Sequence, residues 1–101
     1  MDSLIKQVEV WAKEKGLDKA ESSKQFLKVT EEVGEVASAL ARSNHEMLKD
    51  GIGDVVVTLI ILALQNEMDL TECLETAYDE IKNRTGKMVD GVFVKASDLK
   101  S

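Results

Sequence analysis

The stretch KVTEEVGEVASALA, residues 28–41, decides how this chain folds. Val29, Val33, Val36, Ala37 and Leu40 return at the three- and four-residue intervals of a helix with one apolar stripe, and Phe26 continues the stripe a turn earlier. Set among them are three acids, Glu31, Glu32 and Glu35. A helix advances about 100° per residue, so with Val29 at the centre of the stripe Glu32 and Glu35 fall together on one flank, beside Lys28 and Ala39. Glu31 lies further round. Glu32 and Glu35 can therefore point at one spot bordering the core, which Glu31 reaches only from the solvent side.

A second acidic pair heads KDGIGDVVVTLIILAL, residues 49–64. Asp50 and Asp54 are four residues apart and share a helix face, which Glu46 extends by a turn. Opposing these two acidic faces would set like charges against each other, and removing them from water costs several kcal/mol per ion, roughly, unless something neutralises them. A hard divalent cation with oxygen ligands, Mg²⁺ in particular, does so. The simpler reading of Glu31, Glu32 and Glu35 is a solvated acidic face. For Asp54 the simpler reading is a charge favoured by a helix amino terminus, which weakens if the helix begins near Asn44. Gly51 and Gly53 each cost a helix interior about 1 kcal/mol relative to alanine. They allow close packing, room for a ligand, or a break with the helix restarting at Asp54.

Working outward, the spacing predicts an all-α chain of the four-helix bundle type. A first helix covers Ser3 to about Lys15 and ends at Gly16. Asp18 with Glu21 resembles a capping box ahead of a second helix, which runs from about Lys19 or Ser22 to Arg42. Ser43 with Glu46 starts a third near Asn44 that continues to about Asn66, and Asp69 with Glu72 starts a fourth from Leu70 to about Arg84. Gly86 ends the last helix, and GVFVKASDLK forms a tail with short β-like alternation. The apolar run from Val55 to Leu64 is too continuous for a lone small monomer, so a homodimer or homotetramer is expected. That run also falls short of the roughly 20 residues that cross a bilayer, so no membrane partner is expected.

The 101 residues suit a single domain, residues 1–101, with no proline and no linker composition to divide it. A net charge of −6 argues against a nucleic acid polymer as partner and leaves room for cations. Cys73, the only cysteine, cannot form an intrachain disulfide and reads as a packed thiol. The amino terminus lacks the apolar core of a signal peptide, so the expected location is the cytoplasm. Trp11 and Phe26 fit core stripes. His45 near a helix start reads as a solvated neighbour of the cap rather than a general base. KNRTGK sets Lys82, Asn83, Arg84 and Lys87 close together near a helix end, which suits either phosphate binding or the negative end of the helix dipole. Lys28 is a further candidate cation.

At these acidic residues the sequence resembles the all-α nucleoside triphosphate pyrophosphohydrolases, specifically the small MazG-like proteins. Their pattern is EExxE on one helix and ExxD on the next. The first is intact as Glu31-Glu32-Val33-Gly34-Glu35. The second departs, because Gly51 stands three before Asp54 with Asp50 one residue earlier. The fourth ligand is then Asp50, a water or none. IKNRTGKMVDGVFVK resembles the ending of short members of the family. The resemblance implies an oligomeric, Mg²⁺-dependent enzyme that splits a (deoxy)nucleoside triphosphate into monophosphate and pyrophosphate. It implies Glu32, Glu35 and Asp54 as metal ligands, with Glu31 binding metal or orienting the attacking water. It also tips Lys28, Lys82, Asn83, Arg84 and Lys87 toward phosphate. The competing expectations are a catalytically silent nucleotide-binding module, which Gly51 favours, and a purely structural helical oligomer.

Overall fold

The computed structural model describes residues 2–99. Four α-helices run in order: α1 (Asp2–Glu14), α2 (Ser22–Ala41), α3 (His45–Gln65) and α4 (Leu70–Ile81). A two-stranded antiparallel hairpin follows, β1 (Gly86–Val89) with β2 (Val92–Lys95). α2 and α3 form an antiparallel pair along their whole length, α1 lies against α3, and α4 touches α3 more lightly. The four helices expected from spacing are all present. Within one chain they make an α2–α3 pair with flanking helices.

Each junction has a local cause. Gly16 ends α1 in the left-handed region (φ 75°), its N–H bonding Lys13 O at 3.0 Å. The Asp18–Glu21 capping box does not form. Asp18 is taken up in a short 3-10 turn, Leu17–Lys19, whose Leu17 carbonyl accepts from Gln65 Nε2 at 2.9 Å, and Glu21 caps α2 without a side-chain bond. α2 ends in a Schellman turn: Asn44 N–H reaches Ala39 O at 3.0 Å and Ser43 N–H reaches Leu40 O at 3.1 Å, with Ser43 at φ 52°. Ser43 is thereby spent on the turn, and the cap of α3 is Asn44, whose side chain accepts from Met47 N at 3.0 Å. The Asp69–Glu72 capping box does form, with both of its bonds present.

Two boundaries differ from expectation. α4 stops at Ile81 rather than near Arg84, because no apolar residue between Ile81 and Met88 offers a further turn anything to bury. Gly86 does not close a helix; it opens β1. Asp90 (φ 51°) and Gly91 (φ 80°) make the tight turn that pairs Val89 with Val92, as a two-residue hairpin of type I′ requires.

The packed face of α2 is rotated toward the glutamates by about 40°, at the 100° step per residue. Gln25, Val29, Glu32, Val36 and Ala39 turn toward α3, and Gln25 Nε2 bonds Thr58 O at 3.0 Å, whereas Phe26, Val33 and Leu40 stay exposed. Trp11 is exposed as well. The rotation follows from Gly51, which is buried beneath α2: a Cβ built on it would stand 3.1 Å from Val36 Cγ2. Small residues at the crossing set the distance between the axes, so the small side of α2 faces inward. A Gly51→Glu variant, which restores the family's acid, is therefore expected to lose about 1–3 kcal/mol of stability from overpacking. Val36→Ala should recover part of that loss, and a double-mutant cycle of thermal melts measures the coupling.

Candidate active site

The α2–α3 crossing carries the acids toward one another. On either side of Gly51, Asp50 and Asp54 leave α3 with their carboxyl groups in hydrogen-bonding reach of each other. Glu32 faces them from the packed side of α2, and Glu35 follows on the next turn. Glu31 lies outermost and pairs with Lys28 Nζ at 3.5 Å. Five carboxylates and one ammonium thus share a short stretch of the crossing.

Their electrostatics record the crowding. Glu32 is pushed above the ordinary carboxylate range, first by loss of water, then by the charges of Glu35, Asp54 and Glu31, with Lys28 pulling the other way. Asp54 is raised too, by loss of water, by the charge of Asp50 and their shared hydrogen bond, and by Glu35. Glu32 Oε2 is shielded from solvent and has no hydrogen-bond partner. A shielded anionic oxygen without a donor is an acceptor waiting for a cation or a proton.

The donor chemistry fits a hard divalent ion, since every group is a carboxylate oxygen and Glu32 Oε2 is orphaned. Among the described residues no three acidic, histidine or cysteine side chains already stand together as a closed ligand set. The fit lies in the donors and their mutual repulsion. A side chain at Gly51 would press first on Val36, whose Cγ2 stands 3.1 Å from where the added Cβ would lie.

Beside Asp50 and Asp54 a cavity of about 670 Å³ opens between α1 and α3. Leu4, Ile5, Val8 and Val56 give it apolar walls, while Glu46, Lys49, Asp50 and Asp54 line its acidic side. Gly53 borders it too and has no neighbour within 4 Å of where a Cβ would stand, so it leaves space where Gly51 closes it. Lys49 was missed in the sequence, where the signal was its position one turn before Gly53. Lys82, Asn83, Arg84 and Lys87 are exposed, none lines this cavity, and Lys82 Nζ bonds Asp79 Oδ1 at 3.0 Å. They follow α4, which meets α3 near Leu59, Leu62 and Ala63. That side of α3 is about 150° around the axis from Asp50 and Asp54, counting 100° per residue.

Comparison with known proteins adds an independent finding. The family model of the MazG nucleotide pyrophosphohydrolase domain matches residues 20–89, which takes in α2, α3, α4 and β1. An uncharacterized 18.2 kDa protein in the rep-hol intergenic region of Haemophilus phage HP1 (strain HP1c1) is 41% identical over 70 residues, which cover 68% of this chain and 43% of that protein. The chain therefore spans less than half the length of that relative. No solved structure matches. No helix among the described residues is long and apolar enough to cross a membrane.

Raised carboxylate pKa values have a stability consequence of definite sign. The stability these groups contribute is complete below their unfolded value, near 4, and is lost as pH rises through the raised folded value. In chelator the wild-type melting temperature should therefore fall from about pH 4 toward neutrality. Glu32→Gln and Asp54→Asn should flatten that fall and melt higher at neutral pH. Variants that melt below wild type at every pH would mean that these carboxylates hold the fold together instead of straining it.

Proposed function

Because the chain belongs to the MazG nucleotide pyrophosphohydrolase domain family, we propose that it hydrolyses a (deoxy)nucleoside triphosphate between the α and β phosphates, giving a monophosphate and pyrophosphate. The observation that carries this reading is the Glu32–Glu35–Asp54 grouping, whose carboxylates repel across the helix crossing with one oxygen left unpartnered. Glu32, Glu35 and Asp54, with Asp50 in place of the family's glutamate, would hold Mg²⁺. Bound there, the ion would offset the phosphate charge and the charge that grows in the transition state.

The chain's own groups supply the rest. Glu31 pairs with Lys28 on the solvent side of the cluster, where a carboxylate can orient a water and accept its proton. The water oxygen bonds to the α phosphorus, the bond from that phosphorus to the bridging oxygen breaks, and pyrophosphate leaves with the bond's electron pair. Lys28 and Lys49 are the cations nearest the cluster and its cavity, suited to phosphate oxygens that the carboxylates repel. The base and sugar take the apolar cavity between α1 and α3, where Leu4, Val8 and Val56 provide a surface for a flat ring. Lys82, Asn83, Arg84 and Lys87 would serve the phosphates of a site in an assembly rather than that of their own chain.

Incubation with a panel of nucleoside triphosphates should release monophosphate and pyrophosphate with Mg²⁺ and nothing with chelator. Glu35→Gln and Asp54→Asn should abolish turnover, and Glu31→Gln should lower it by at least about 100-fold, the usual contribution of a general base. A nucleotide that raises the melting temperature without being consumed would move the reading to a silent binding module. Full activity of Asp54→Asn would overturn the site.

A further inference from the structure

We propose that the β1–β2 hairpin is a strap that folds back over the groove between α1 and α4 and buries Met88 and Phe93 against Leu74 and Tyr78. In the open arrangement the hairpin packs mainly on itself and on the turn Ala96–Asp98 that follows it. Two strands alone are marginal in water and need a further element to pack on. The apolar residues of this pair are bare: Met88 is 63% exposed, Val92 63% and Phe93 47%. The chain as a whole is open, with a radius of gyration of 16.5 Å, where about 13 Å is usual for this length.

One groove lies within its reach. Between α1 and α4 a cavity of about 420 Å³ is walled by Ile5, Leu74, Ala77, Tyr78 and Ile81, and no hairpin residue lines it. Leu74 is 62% exposed and Tyr78 58%, so α4 offers an apolar face that nothing in the open chain covers. The link from α4 to β1 is residues 82–85, which extend to about 14 Å at most. That is long enough to reverse the chain and too short to carry the hairpin elsewhere. Folded back, a strand of this length covers about 13 Å, and Ile81 to Leu74 is about 10 Å along the helix. Hairpin and groove therefore match in length.

The register decides which side goes down. Met88 lies opposite Phe93, so the two share a face with Lys95, while Lys87, Val89 and Val92 take the other. Phe93 already lies over Gly86, where an added Cβ would stand 2.8 Å from Phe93 Cζ, which leaves that face flat. Charge agrees with the docking. α4 carries Glu72, Glu75, Asp79 and Glu80 and no base, whereas residues 82–95 carry Lys82, Arg84, Lys87 and Lys95 against one acid, Asp90. Lys82 Nζ already bonds Asp79 Oδ1 and ties the start of the link to the helix. A foreign basic segment would meet the same charges, but the chain's own hairpin is tethered at the end of the groove and arrives at a far higher effective concentration. Ile5 also lines the cavity beside Asp50 and Asp54, so a closed strap braces the α1 wall that the two cavities share. The inference stands whether or not the protein hydrolyses nucleotides.

The test is made on the full chain without nucleotide. Leu74→Ser lies in α4, outside the hairpin, and should speed amide exchange across residues 86–95 by about 10-fold or more, because it removes the surface the strap rests on. A hairpin that never docks would exchange at the wild-type rate in that variant, which overturns the strap. In a Cys73→Ser background, Leu74→Cys with Met88→Cys should oxidise to a disulfide within one chain. Thr76→Cys, on the far side of α4, should not link to Met88→Cys. If Leu74→Ser fails to fold, the crosslink decides. No link overturns the strap, and a link between two chains overturns it by giving the groove to the hairpin of a second copy. With the intrachain disulfide closed, amides around Ile5 should exchange more slowly than in the reduced protein, and equal rates overturn the bracing of α1. None of these readouts depends on turnover, so a failed hydrolase assay leaves the strap intact.

Discussion

Val36 lying over Gly51 is the contact on which the rest of the molecule depends. Because no side chain separates them, α2 approaches α3 closely, and the small side of α2 turns inward with Glu32 on it. The acidic crossing follows from that one distance. A larger residue at 51 would press on Val36 and strain the crossing at which Glu32 and Glu35 approach Asp54. The helix-propensity cost of Gly51, about 1 kcal/mol, is therefore the cost of bringing two acidic segments together.

Such a site is stable in its folded form only against opposition. Glu32 and Asp54 are both raised by loss of water and by their neighbours, and at Glu32 the charge of Lys28 pulls the other way. The packing around them supplies the force that holds the carboxylates in place. The crossing is locked at both ends of the helix pair: by the Schellman turn and Asn44 cap at residues 42–44, and by Asn66 Nδ2, which bonds Ser22 Oγ at 3.0 Å. The carboxylates are thereby brought near one another, although among the described residues no three of them stand together as a closed ligand set.

The fold was legible wherever a residue's role is local. The helix at residues 45–65 followed from apolar spacing, and the Asp69–Glu72 box followed from two residues three apart. The acidic segments were visible for the same reason. What the sequence concealed depends on partners distant in the chain. Val33 and Leu40 belong to an apolar stripe by spacing, yet the stripe is wider than the face α3 covers, and only the crossing at Gly51 decides which part is covered. Asp18 has the spacing of a cap, but Gln65 holds the preceding carbonyl in a 3-10 turn. The hairpin was within reach, since Asp90-Gly91 between alternating apolar residues is a strong turn signal that was passed over for a helix end at Gly86.

The three-residue connection between α2 and α3 also bears on how the chain acquires its structure. Joining two long helices through so short a link leaves little loop entropy to lose, and contacts close in sequence form fast. The α2–α3 pair is thus the natural nucleus, with α1 docking on it and α4 and the hairpin ordering last. Amide exchange should report the same order, slowest around Val29 and Ile60 and fastest beyond Ile81. The acidic crossing lies inside that nucleus, so the charges meet at the start of folding rather than at its end, and a chain that folds with the crossing protonated or cation-bound would collapse sooner than one with every carboxylate bare.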